Sequence, residues 1–472
     1  MKKKSKLMPA NTFEVFKGIQ GLQLAVMIGL IIFIPIPQAG MMSVAFCLWL
    51  LAGGLLASLS VFRWLLGETK QDLGQAKASV AASFPWVLLW LLITAICFFH
   101  VVYKLPITNY WLSEFKGVEV LQPAFNSTSS ELMSFAKLQT LGAWAFFTVF
   151  WTIAYVASRF NLDQLRWLLG AVLFMGIFQA VMGIGLMQAG SLSVFGLWEK
   201  IYYVSDATGT FVNHNHYANF LALCLPLGLS ALLGDRPLIM RSFNKYYRTF
   251  AAIVFTVLVL LAAVASHSRM GLFVTMVAGL VWVLFDHLRS RRQFKSTDQR
   301  VTWVMIGLIG LVMLWFGLSD ITKRVMSLSD GDGRLQIWQS VFDLPQQVWI
   351  FGIGPGNFSE VYALVKPIDI GTFLYYAHSD YLEFVLEFGL IGTALIALTW
   401  FWWLIKSFKG SVFKDVSSLR AAALCTLIAM AIHSAVDFSF QIPANATYTA
   451  LALGILVNQN LNRVLKRRLK AS

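Results

Sequence analysis

Charge is what this chain has least of. Only 13% of its 472 residues are Asp, Glu, Lys or Arg, against about 25% in ordinary soluble domains, which excludes a soluble multidomain enzyme. Disorder is excluded too, because it needs low hydrophobicity with high net charge. Cysteine is scarce: Cys47, Cys97, Cys224 and Cys425 all sit in apolar stretches and make neither a disulfide framework nor a metal site. The histidines recur at no ligand spacing, so no zinc site is expected. No internal repeat relates the two halves. The net charge of +14 points to no nucleic-acid partner, since cations in a multi-pass membrane protein gather in cytoplasmic loops.

Apolar sequence, by contrast, fills 58% of the chain, with 38 Phe and 17 Trp and a mean hydropathy of +0.68. A membrane span needs about 20 mostly apolar residues. Such runs lie near 18–36, 42–66, 82–102, 136–157, 165–189, 217–234, 249–266, 269–288, 302–318, 380–405, 419–437 and 444–460, twelve in all. The first follows Lys2-Lys3-Lys4 but is too long, and too well followed by further spans, for a cleaved signal peptide. With the N-terminus in the cytoplasm, alternate connections collect 28 of the 37 Lys and Arg residues. The positive-inside rule then puts both termini in the cytoplasm. The basic tail Lys466-Arg467-Arg468 reads as a topology determinant near anionic lipid. The expected fold is all-α, a polytopic transmembrane bundle of about 12 spans. Spans one to nine occupy 1–318, a large outward loop 319–379, and three spans with a basic tail 380–472.

Polar sequence gathers in three outward connections, about 103–135, 190–216 and 319–379. The last is too long for a simple connector. Two of its segments have helical periodicity, one through Leu335, Trp338 and Phe342, the other through Phe358, Val361, Tyr362 and Val365. Amphipathic helices on the membrane surface would fit both and would form a lid over a membrane-embedded site.

Four outward segments carry candidate chemistry. Gly209-Thr210-Phe211-Val212-Asn213-His214-Asn215-His216-Tyr217-Ala218-Asn219 offers the donors and acceptors that sugar hydroxyls require; the plainer reading is a helix cap by Asn213 or Asn215. Ser266-His267-Ser268-Arg269-Met270-Gly271 places a guanidinium at a helix start, where it can grip phosphate oxygens bidentately, aided by backbone N–H groups. Its plainer reading is an interfacial anchor or an ion pair. Gly331-Asp332-Gly333-Arg334 is followed by Gly352-Ile353-Gly354-Pro355-Gly356-Asn357, whose glycines permit close approach to a ligand. The fourth is His378-Ser379, then nine residues, then Gly389-Leu390-Ile391-Gly392. A histidine is suited to deprotonating a hydroxyl near neutral pH, and Asp380 or Glu383 stands close enough in sequence to orient it. His433, near Asp437, reads as an interhelical polar group. His100 and His287 read as interfacial.

Taken together, His378-Ser379 with its spaced glycines, the Ser-Arg segment at Arg269 and the Gly-Arg pair at Arg334 resemble the bacterial O-antigen ligase/polymerase superfamily. The resemblance runs over about 205–400. It implies a GT-C-like glycosyltransferase of the bacterial inner membrane, working at the periplasmic face without metal or cofactor. The implied donor is an undecaprenyl-diphosphate-linked glycan, the acceptor a glycan or lipid A–core, and the transfer inverting. It also implies that Arg269 and Arg334 hold the donor diphosphate and that His378 is the base. Arg324 is a further candidate for the clamp, and Asn213, His214, Asn215, His216 and Tyr217 are candidates for glycan binding. Ligation, polymerisation and transfer to protein hydroxyls all remain open. A secondary transporter or lipid-glycan flippase is the rival of another class; it predicts midplane charges and repeated halves.

Overall fold

The computed structural model describes residues 10–65, 73–102, 122–234, 238–240, 242–292, 307, 310, 334–342, 344, 346–365, 375–408, 417–458 and 461. Among them the regular elements are almost entirely helical. In chain order they are α1 (Ala10–Phe33), α2 (Ser43–Arg63), α3 (Leu73–Val102), α4 (Gln122–Arg159), α5 (Leu162–Gln188), a two-residue hairpin β1 (Ser193–Val194) and β2 (Trp198–Glu199), α6 (His214–Leu233), α7 (Lys245–Ala265) and α8 (Arg269–Arg292). Three short helices follow, α9 (Arg334–Phe342), α10 (Gln346–Phe351) and α11 (Phe358–Val365), then α12 (Asp380–Phe408), α13 (Ser418–Ser434) and α14 (Pro443–Leu456). Eight described helices are long and apolar enough to cross a membrane, and Lys17–Phe33 and Ser418–Ser434 add shorter apolar segments. The protein is a multi-pass, all-α membrane protein. Every apolar run of the sequence coincides with a helix except 302–318, of which only residues 307 and 310 are described.

The helices differ in what they face. In α2 only 22% of the apolar window is buried, and Val44, Leu48, Leu51 and Leu55 are exposed on one side, as a lipid-facing helix requires. In α6 the figure is 94%. This helix runs through the middle of the bundle, packed by α5, α7, α8, α13 and α14, and so carries Asn219 and His216 without exposing them. The short α14 is built from small residues for the same reason. Its Gly454 lies against α4, where an added Cβ would meet the Ala154 carbonyl oxygen at 2.4 Å. Small residues let helix backbones approach and pack where lipid supplies no hydrophobic drive.

A second, smaller apolar core sits beside the bundle. Ile337 and Val341 of α9, Phe358 and Tyr362 of α11, Ala377 ahead of α12 and Leu386 within it bury one another. The two amphipathic segments of the long loop therefore turn their apolar faces onto each other and onto α12 rather than onto lipid. For α11 the expected face through Phe358, Val361 and Tyr362 is the buried one. For α9 it is not: Phe342 is exposed and stacks on Trp349, while Ile337 and Val341, one position off the expected stripe, go inward. The Gly389 motif also has a packing origin. Gly389 breaks the helical dihedrals of α12 at φ 69°, and an added Cβ would meet Phe351 C at 2.4 Å. The backbone of α10 and Gly352 lies directly against that kink.

Candidate functional site

Four helices begin at one end of the bundle: the starts of α6, α8 and α14 are bonded to one another, and that of α12 to the turn ahead of α14. Asn213 caps α6, its side chain accepting from Asn215 N. Ser268 caps α8, its Oγ accepting from Gly271 N at 3.1 Å and donating to Asn215 Oδ1 at 2.6 Å. Ser379 precedes α12, and Asp380 N donates to Asp437 O at 3.1 Å. In α14 the Asn445 amide donates to His216 O at 3.2 Å. Helix N-termini carry partial positive charge and unpaired N–H groups, so four converging ones favour an anion.

The segment 209–219 enters this layer, and most of it is structural. Thr210 bonds Gln179 of α5 twice, through its hydroxyl at 2.6 Å and its N–H at 3.1 Å. Tyr217 is fully buried and its hydroxyl donates to Gln179 O at 3.0 Å. Tyr217 thus faces the core of the bundle. Asn213 spends its side-chain oxygen on Asn215 N, so the capping reading describes it, while the Asn215 oxygen is taken by Ser268 Oγ.

His214 and His216 differ from their neighbours. Two residues apart, they stand roughly 200° apart around a helix of 3.6 residues per turn, and each meets its own carboxylate. His214 Nδ1 lies 2.7 Å from Asp206 Oδ2, its ring stacked on Tyr203 with centroids 3.9 Å apart. The other oxygen of Asp206 accepts from His267 Nδ1 at 2.8 Å. Lys200 donates to the Asp206 carbonyl; burial lowers its ammonium below the ordinary lysine range, with the Asp206 charge opposing.

On the opposite side of α6, His216 Nε2 lies 3.5 Å from Asp437 Oδ1. His378 Nδ1 lies 3.8 Å from the same oxygen. Both are ion-pair distances beyond a good hydrogen bond. Phe438 sits among them, with its ring edge-on to His216 and His378 and stacked on Tyr376 at 4.1 Å. Burial, then the charges of Glu383, Glu387 and Asp380, push the Tyr376 phenol above its ordinary range and keep it neutral. His433 is buried, its Nδ1 2.9 Å from Ser439 Oγ, an interhelical polar contact as expected. His378 itself has φ 52°, a left-handed conformation that a non-glycine residue holds only when its surroundings impose it.

The acid that faces the His378 ring is Asp437, not Asp380 or Glu383. Those two bond other groups. Asp380 Oδ2 accepts from Phe440 N at 3.0 Å. Glu383 accepts from Ala377 N and from the Gln441 amide, each at 2.7 Å, holding the residue before His378. One further turn along α12, Glu387 accepts from Phe358 N at 3.2 Å and from the Gly356 and Asn357 backbone. The glycine-rich loop 352–357 thus wraps a carboxylate of its own chain.

Arg269 is exposed at the first position of α8, two residues after His267. Arg334 opens α9; its side chain, and all of Arg324, lie outside the described residues. One turn beyond Arg334, Trp338 Nε1 donates to Ala377 O at 2.9 Å, which ties α9 to the residue preceding His378. Asp206, His267 and Asp437 are the members that sequence reasoning missed. The available signal was the need of each histidine in these segments for an acid, and Asp206 stands three residues before the Gly209 segment.

Residues 254–397 match the O-antigen ligase family. The matched stretch contains Arg269, Arg334 and His378, and it supports the O-antigen ligase/polymerase superfamily that the motifs resemble. No curated protein matches the chain.

Proposed function

With an O-antigen ligase domain over residues 254–397 as the premise, we propose that the protein transfers a glycan from undecaprenyl diphosphate to an acceptor hydroxyl. The transfer takes place at the periplasmic face of the bacterial inner membrane, both termini being cytoplasmic. The observation that carries this reading is the pairing of His378 with Asp437 at 3.8 Å in a layer where four helix N-termini meet.

In this mechanism the acceptor oxygen attacks the anomeric carbon from the face opposite the diphosphate, giving inversion. Its proton passes to the outward nitrogen of His378, whose Nδ1 side faces Asp437. The carboxylate orients the ring and stabilises the imidazolium that forms, the role a buried acid plays behind a catalytic histidine. His216, on the same carboxylate oxygen, fixes Asp437 from the other side. The bond from the anomeric carbon to the diphosphate oxygen breaks and the electron pair leaves with the diphosphate. Arg269 and Arg334, with Arg324, take up that charge, as always-protonated forks suited to phosphoryl oxygens. The helix N-termini add to the same field.

The test is reconstitution of the purified protein in vesicles with a polyprenyl-diphosphate glycan and candidate acceptors. A single larger product indicates ligation, and a ladder indicates polymerisation. Absence of any glycan transfer, with translocation of the lipid-linked glycan instead, would replace this reading with the flippase one.

A further inference from the structure

His267 presents an exposed ring on a fixed mount. Its side chain is 64% exposed, yet its Nδ1 is held at 2.8 Å by Asp206, a carboxylate only 13% exposed. The backbone around it is equally constrained. His267 has φ 55°, Ala207 N donates to Ala265 O at 2.9 Å, and Ser268 N bonds Ser266 Oγ. Asp206 is fixed in turn by His214 and by its own N–H on the Tyr203 carbonyl. Exposed side chains ordinarily keep their rotamer freedom, and taking it away has a cost. Here three segments (the 200–211 loop, the start of α6 and the α7–α8 turn) converge to remove it. With Nδ1 bound to the carboxylate, Nε2 is the nitrogen turned away from the protein, and Arg269 follows two residues later.

We propose that His267 is a ligand for the donor lipid: Asp206 locks its ring so that Nε2–H, beside Arg269, donates to a phosphoryl oxygen of a polyprenyl diphosphate. This rests on the function proposed above and names a binding group within that site. Asp206 acts as a positioning residue. In the doubly protonated ring, Nδ1–H bonds this carboxylate and Nε2–H is left to bond an anion. The competing role is a staple in which the Asp206–His267 contact only closes the α7–α8 turn.

Two near-isosteric substitutions separate these roles. The amide of His267→Asn reaches the Nδ1 position and preserves the staple but has nothing at Nε2. The amide of His267→Gln reaches the Nε2 position and gives up the staple. Binding of polyprenyl diphosphate and of polyprenyl monophosphate to the full-length protein in nanodiscs is measured for each, with thermal unfolding as the folding check. The expected result is tighter binding of the diphosphate by the wild type. His267→Asn should lose at least about tenfold of that affinity with an unchanged melting temperature, and His267→Gln should retain most of it. Unchanged affinity in His267→Asn, or loss in His267→Gln alone, overturns the proposal and leaves the staple. If neither variant folds, Asp206→Asn, which keeps an acceptor but removes the charge, should show the same selective loss, and full affinity there overturns the proposal too. Failure of the wild type to bind polyprenyl diphosphate at all would sink the proposed function itself. A His378→Ala protein that binds the diphosphate normally but transfers nothing keeps the two questions apart.

Discussion

Nδ1 of His378 lies 3.8 Å from Oδ1 of Asp437, across a turn that belongs to a different pair of helices. Asp437 stands between α13 and α14, His378 just ahead of α12, and 59 residues separate them in the chain. The bond from Asp380 N to Asp437 O brings the two together, so the start of α12 sets both the histidine and the acid behind it.

Replacing Asp437 by Asn should leave that geometry nearly intact while removing the charge that stabilises a protonated His378. Turnover is expected to fall by about 10²–10⁴-fold, the range a positioned acid–base group supplies, with donor affinity little changed. Single-turnover transfer measured alongside lipid binding checks this. A fall in binding equal to the fall in rate would count against the assignment.

Arg269→Ala should remove about 10²–10³-fold of the transfer rate, comparable to losing one preorganised group that stabilises developing charge. Membrane insertion should be unaffected, because the residue is exposed at a helix start. Arg269→Lys is expected to recover only part of the rate, since an ammonium restores charge but not the bidentate fork. Transfer assays on equal amounts of inserted protein decide it.

Tyr217→Phe tests whether Tyr217 belongs to the glycan-binding set. The variant loses the hydrogen bond to Gln179 O and should cost about 1 kcal/mol of stability, seen as a modest drop in melting temperature. The KM for the glycan donor should stay unchanged. A raised KM with unchanged stability would return Tyr217 to the sugar site.

Gly389→Ala places a Cβ within 2.4 Å of Phe351 C at a positive φ. At φ 69° and ψ 165°, a region essentially reserved for glycine, an L residue is strained by about 1–3 kcal/mol, and the clash adds to it. The expected outcome is a protein that still inserts but unfolds at lower temperature, with faster proteolysis of the 346–365 segment as α10 loses its seat.

Much of this was legible in the chain. The helical runs follow from hydropathy, because each depends on residues near one another in sequence, and Arg269, Arg334 and His378 are singled out by local motif as the proposed site. The periodicity of α11 named its buried face correctly. In α9 it failed by one position, because a nine-residue helix docked on two partners has its inward face chosen by those partners. The segment 209–219 shows the same limit. Its Asn, His and Tyr side chains look alike as a row of polar groups, but the rotation of α6 sends Tyr217 inward and aims His214 and His216 at different acids.

What the sequence alone determined is that this is a helical, multi-pass membrane protein, since the bilayer imposes length, apolarity and backbone pairing on every span. Only the tertiary structure decided which carboxylate serves which imidazole. Asp206 and Asp437 reach their histidines across gaps of up to 221 residues, and such pairings are set by how helices pack, to which local sequence carries no pointer.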